Sequence, residues 1–123
     1  EKYQIGVIYD VGAYLDTLEQ VKQLSATWFV PAHAEATQDI APLAQYNIDK
    51  TREVAETILT FCAEPIGFEA LLQKLFTAYG LTMDFSQYVL VGSTVRSYLA
   101  WLKDQGALSV DFTTRIPLWH RVG

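Results

Sequence analysis

A single cysteine, Cys62, stands among the 123 residues. It excludes an internal disulfide framework and every zinc module built on cysteines, and it points to a reducing, cytoplasmic setting. Histidine is almost as scarce, with only His33 and His120, too few imidazoles for a multi-His metal centre that takes three or four ligands. No apolar run reaches the ~18 residues of a membrane span, and Glu1-Lys2-Tyr3-Gln4 has neither the basic nor the apolar region of a signal peptide. Basic residues are few as well: 9 against 14 acidic ones leave a formal net charge of −5. Clustered Lys and Arg are what release counterions from a phosphate backbone, so nucleic acid is a disfavoured partner. The chain does not open with Met, and its first residues carry no helix or strand start signal. Both features suggest a piece of a longer molecule.

What is present is a folding composition, 50% hydrophobic and 13% aromatic, at a length that buries one core. Val11, Leu15, Leu18, Val21 and Leu24 recur at three and four residues and predict a helix capped by Asp10. Thr27 to Val30, β-branched and aromatic and closed by Pro31, reads as a short strand. The loop Pro31-Ala32-His33-Ala34-Glu35 follows, then a helix starting between Asp39 and Ala44 with Pro42 in its first turn. That helix runs to Cys62, with Ile48, Ala55, Ile58, Leu59 and Cys62 on its apolar face. Phe68 to Tyr79 carries an uninterrupted helical stripe that Gly80 ends. A further helix, with Ser86 as a possible cap, places Tyr88, Val91, Val95, Tyr98, Leu99 and Leu102 on one face and stops at Gly106. The period then changes: Leu108, Val110 and Phe112 alternate with polar residues as in a half-buried strand. After a turn over Thr113 to Arg115, Ile116 to Val122 forms the second arm of a hairpin, where Pro117 suits an edge strand.

Three helices and a hairpin, in that order, are the outline of a winged helix. The predicted fold is thus mainly α with a C-terminal β-hairpin, with a boundary near residue 45. Charge divides the chain too. Residues 1–60 hold 4 basic and 9 acidic residues, and residues 61–123 hold 5 of each.

Few residues offer chemistry on their own. His33 beside Glu35 is in isolation an ordinary loop residue, and His120 next to Trp119 is an ordinary strand residue. Asp10, Asp16, Glu19 and Glu35 lie in an acidic segment and read as solvated carboxylates. Cys62 closes an apolar face, which favours an inert thiol. Gly92-Ser93-Thr94 falls in a helix, not after a strand, and so is no phosphate loop. As a DNA module the fold would read bases from Ser93, Arg96, Ser97 and Lys103, with Arg115 on the wing. Five acidic residues offset the five basic ones, and Tyr79, Phe85, Tyr88, Tyr98, Trp101 and Trp119 suit a packing or dimer surface better.

The stretch Trp28-Phe29-Val30-Pro31-Ala32-His33-Ala34-Glu35 resembles the last strand and loop of the metallo-β-lactamase fold hydrolases, where a Pro-Gly-His-Gly type motif supplies the final histidine of a dinuclear metal centre. His33 falls on that histidine, and Ala32 and Ala34 replace both glycines. The segment from Tyr88 to Leu99 is similar to the winged-helix extension that some of these hydrolases carry after the catalytic domain. The resemblance implies that residues 1–45 are an incomplete α/β remnant of the catalytic domain and that residues 46–123 are a winged-helix-like domain. It further implies His33 as a metal ligand and zinc, or another divalent metal, as cofactor of the full-length parent. Nothing here matches the family's upstream His-x-His-x-Asp-His motif, so this chain alone is expected to be catalytically inert, with no tightly held metal. Its expected partners are the missing N-terminal catalytic domain and a second copy of itself in a homodimer, because the strand 27–30 would lack its sheet neighbours.

Overall fold

The computed structural model describes residues 8–27 and 34–123, with side chains described over 8–23 and 41–123. Among these residues are four helices and a small three-stranded antiparallel sheet, a mainly helical architecture. Helix α1 (Val11–Thr27) opens where Asp10 Oδ1 accepts from the backbone N–H of Ala13 at 2.9 Å, the N-cap that the sequence predicts. Its first turns bury Val11 and Leu15. Gly12 lies against α4 (Phe85–Asp104): a β-carbon there would come within 3.2 Å of Trp101 Cδ1.

Helix α2 spans Ala34–Phe61, a rod of about 42 Å at 1.5 Å per residue. It forms the largest interhelical interface of the fold, with α1. Ala44, Ile48, Thr51, Ala55, Ile58 and Cys62 follow one another at three- and four-residue steps and are buried, while Asp49, Arg52, Glu53 and Glu56 face solvent, as an amphipathic period demands. Two local expectations change here. Thr27 ends a helix and does not open a strand, and residues 28–30, the rest of that predicted strand, lie outside the described residues. Ala34 and Glu35 are helical, so Pro42 sits well inside α2 and not in its first turn. Good helix formers, Ala41, Leu43, Ala44 and Gln45, flank it, and the helix continues across the one N–H that proline lacks. Residue 45 therefore falls within an unbroken helix.

After Pro65, β1 (Ile66–Gly67) leads into α3 (Phe68–Tyr79), whose Leu71, Leu72, Leu75 and Phe76 are buried. The helix ends at Gly80, φ 65°, where the Gly80 N–H donates to the Thr77 carbonyl and the Leu81 N–H to that of Phe76. This paired closure uses the left-handed backbone that glycine adopts without penalty. Helix α4 is capped by Asp84, whose side chain accepts from Gln87 N at 2.8 Å, and not by Ser86. A carboxylate at this position satisfies a free N–H and also faces the positive end of the helix dipole. Gly106, φ 80°, repeats the terminal arrangement, with Ala107 N–H donating to Leu102.

Strands β2 (Leu108–Asp111) and β3 (Leu118–Arg121) form the hairpin, in register Val110 to Trp119. Strand β1 adds to the other side of β3, with Ile66 opposite Trp119, so the order is β1-β3-β2. Strand β3 is thus central, not an edge. Pro117 stands immediately before it, where its missing N–H breaks no ladder bond. The turn is held by Asp111 Oδ1, which accepts from Thr113 N at 2.8 Å and Thr113 Oγ1 at 2.6 Å. These bonds keep the Asp111 carboxyl below the usual carboxylate range. A backbone bond from Arg121 N to the Cys62 carbonyl, 2.8 Å, ties the hairpin to the end of α2. One buried cluster runs from Ile8 and Val11 through α2, α3 and α4 to Leu108.

Candidate functional site

The residues singled out in the sequence do not converge. His33 lies outside the described residues. His120 is exposed on β3. Asp10 serves as the α1 cap, Asp16 is exposed, and Glu19 pairs with Lys22 at 3.7 Å on the same helix. The backbone of Glu35 is in α2, and its side chain lies outside the described ones. Among the described residues no group of three or more His, Cys, Asp or Glu is placed to hold a metal ion. Cys62 is buried, and burial pushes its thiol up to about 11, the state of an inert sulfhydryl and not of a nucleophile.

The Gly92-Ser93-Thr94 stretch lies within α4 and serves packing. Thr94 is fully buried and accepts from the Ile8 N–H at 3.0 Å. A β-carbon on Gly92 would meet Leu72 and Phe68 at ordinary contact distance, so no close approach requires glycine there. Of the side chains placed on a DNA-reading face, Ser97 Oγ donates to the Tyr9 carbonyl at 2.7 Å. The Arg96 guanidinium stacks 4.0 Å from the Phe68 ring centroid. Lys103 and Arg115 are exposed at separate places, the last turn of α4 and the hairpin turn. No continuous basic face results.

Two apolar surfaces stand out instead. The first is the start of α4, where Phe85 is 82%, Val89 47% and Leu90 42% exposed, with Met83 and Tyr88 beside them. The helical period assigns Tyr88 to the buried stripe. It lies at the edge of that stripe, and its hydroxyl donates to Glu69 Oε2 of α3 at 2.6 Å. That bond is the main cause that raises the phenol above its usual range. Of the aromatic residues named for a packing surface, Tyr98 is in the core, Tyr79, Trp101 and Trp119 are half-buried, and Phe85 and Tyr88 are exposed. Val89 and Leu90 are not legible as surface residues in the sequence. The helical period separates faces but does not say whether a second face is covered.

The second surface is a groove of about 720 Å³ between the α3–α4 face and the hairpin. Phe68, Leu99, Phe112, Ile116 and Trp119 form its walls, and Arg96 and Lys103 lie on its α4 side. Among the described residues no helix is long and apolar enough to cross a membrane. Comparison of the chain with protein-family models, curated proteins and solved structures finds no match.

Proposed function

We propose that this chain is the C-terminal part of a metal-dependent hydrolase of the metallo-β-lactamase fold. In this reading, residues 46–123 form a winged-helix extension devoted to interdomain packing or self-association, not to catalysis. The order helix, strand, helix, helix, hairpin, with β1 paired to the hairpin, supports the winged-helix assignment. The resemblance of residues 28–35 to the family's last histidine motif supports the parentage. Zinc or another divalent metal would belong to the full-length parent, with His33 as one ligand. The described residues supply no ligand cluster, and no metal-dependent step is assigned to them.

The observation that carries the packing role is the apolar start of α4. In a DNA-reading winged helix this segment is presented to the major groove and needs polar or basic side chains. Here it presents Phe85, Val89 and Leu90, and the one arginine of the helix is stacked on Phe68. An uncovered apolar strip is the usual mark of a protein contact. Static light scattering tests this reading: a dimer at micromolar concentration is expected. A fluorescence anisotropy titration giving submicromolar, sequence-dependent binding to duplex DNA would overturn it. In the parent protein, His33→Ala should lower metal content and hydrolysis together while the helices described above stay folded; unchanged metal content would sink the hydrolase assignment.

A further inference from the structure

The groove under the hairpin is built differently from the strip on α4. It is concave, and its volume of about 720 Å³ is in the range of ~300–1,000 Å³ typical of small-molecule sites. The hairpin contributes Phe112 and Ile116, which line the concavity and yet remain 71% and 62% exposed. The opposite wall is formed by Phe68 and Leu99 from α3 and α4. Such a site takes a ligand with a sizeable apolar body.

Its charges specify the other end of that ligand. Arg96 and Lys103 are seven residues apart on α4, two helical turns, and so project from the same face of the helix. Both line the groove. Stacking on Phe68 orients the Arg96 guanidinium and leaves its edge donors for a planar anion, the geometry in which arginine binds carboxylates through two parallel hydrogen bonds. Among the described residues neither cation makes an ion pair, the two pairs present being Lys22 with Glu19 and Lys50 with Glu53. Glu69 also lines the groove, where its carboxylate accepts from the Tyr88 hydroxyl, and against it Arg96 and Lys103 leave the lining with one positive charge in excess.

We propose that this groove binds a linear acyl carboxylate. The hydrocarbon chain packs against Phe68, Leu99, Phe112, Ile116 and Trp119, and the carboxylate is held by Arg96 and Lys103. This site does not depend on the assignment to a hydrolase or on the α4 strip. Two signatures follow from its construction. Each methylene removed from the chain should weaken binding about fourfold, the transfer value for one buried CH₂. Neutralising the headgroup should weaken it as well.

Isothermal titration of the full chain with dodecanoate, below its micelle concentration, provides the test. Saturable binding of one dodecanoate per chain is expected, with dodecanol and dodecyltrimethylammonium at least tenfold weaker. Arg96→Gln combined with Lys103→Gln should lower the affinity for dodecanoate at least tenfold and that for dodecanol by a clearly smaller factor. Ile116→Glu, at an exposed position, should abolish binding of both with no change in the thermal melt. Equal affinity for the anionic and cationic amphiphiles, or no saturable binding of dodecanoate, would overturn the proposal. So would a dimer that forms without ligand and is dissolved by Ile116→Glu, because that outcome gives the groove to a second copy of the chain.

Discussion

The backbone N–H of Ile8 donates a buried 3.0 Å hydrogen bond to Thr94 Oγ1, a partner 86 residues away in the middle of α4. Beside it, Ser97 Oγ donates to the Tyr9 carbonyl at 2.7 Å, in a more exposed setting. Together they dock the residues before α1 onto α4 and let Val11 and Leu15 join the common core. Thr94→Val keeps the shape but leaves the Ile8 N–H unpaired. It should cost about 1–3 kcal/mol, the usual penalty for a buried unsatisfied donor. Ser97→Ala, where water replaces the lost partner, should cost less than about 1 kcal/mol. Urea denaturation of the two variants measures the difference, and equal losses would show that water reaches the Ile8 N–H too.

Stability should fall at alkaline pH. Burial pushes the Cys62 thiol up to about 11 from an ordinary value of 9.0, and it raises the Tyr98 phenol in the same direction. Both groups are neutral when protonated, so the folded chain holds these protons more tightly than the unfolded chain. Their contribution is complete below the unfolded pKa and is lost as pH rises through the folded one. Between about pH 9 and pH 11 the thiol alone should remove about 2 kcal/mol. Cys62→Ala should flatten that part of the pH profile in chemical denaturation, leaving the fall due to Tyr98. An identical profile in the variant would show that the thiol titrates normally in the fold.

The helix ends give position-specific predictions. Gly80 has φ 65°, and a β-carbon added there would meet nothing within 4 Å, so Gly80→Ala is penalised by backbone conformation alone, about 1 kcal/mol. Asp84→Ala removes the α4 cap and should cost about 0.5–2 kcal/mol. Ser86→Ala, one residue into the helix, should change stability by less than about 0.5 kcal/mol. Thermal melts of the three variants check the order, and a Ser86→Ala loss exceeding that of Asp84→Ala would mean that the cap is misassigned.

The exposed strip on α4 predicts the behaviour of the chain in solution. Replacing Val89 and Leu90 together by Asp should convert a dimer to a monomer that keeps its helical circular dichroism, because neither side chain belongs to the buried core. The melting temperature should lose only its dependence on protein concentration and the dimer's share of stability. Light scattering over a concentration series reads the change. A wild-type chain that is monomeric at high micromolar concentration would remove the basis for self-association through this face.

The residues by themselves determined that the helices form and where three of their ends fall, while the start of α2 at Ala34 and the cap of α4 at Asp84 are not where the sequence pattern puts them. The stripe from Phe68 to Tyr79, the cap at Asp10 and the stops at Gly80 and Gly106 are local consequences of a 3.6-residue period and of which residues tolerate a left-handed backbone. The alternation from Leu108 to Phe112 announced a strand for the same local reason. Tertiary structure alone decided the rest. Strand β1 is two residues long, too short to show a period, and is a strand because β3 offers it hydrogen-bond partners; that pairing makes β3 central. Whether Val89 and Leu90 are covered depends on what packs beside α4. The groove is likewise invisible in any window of sequence, since Phe68, Leu99 and Ile116 meet only when the hairpin folds over the α3–α4 face. Periodicity reports which faces a segment has, while a concave site is a relation between segments and is set by how they pack.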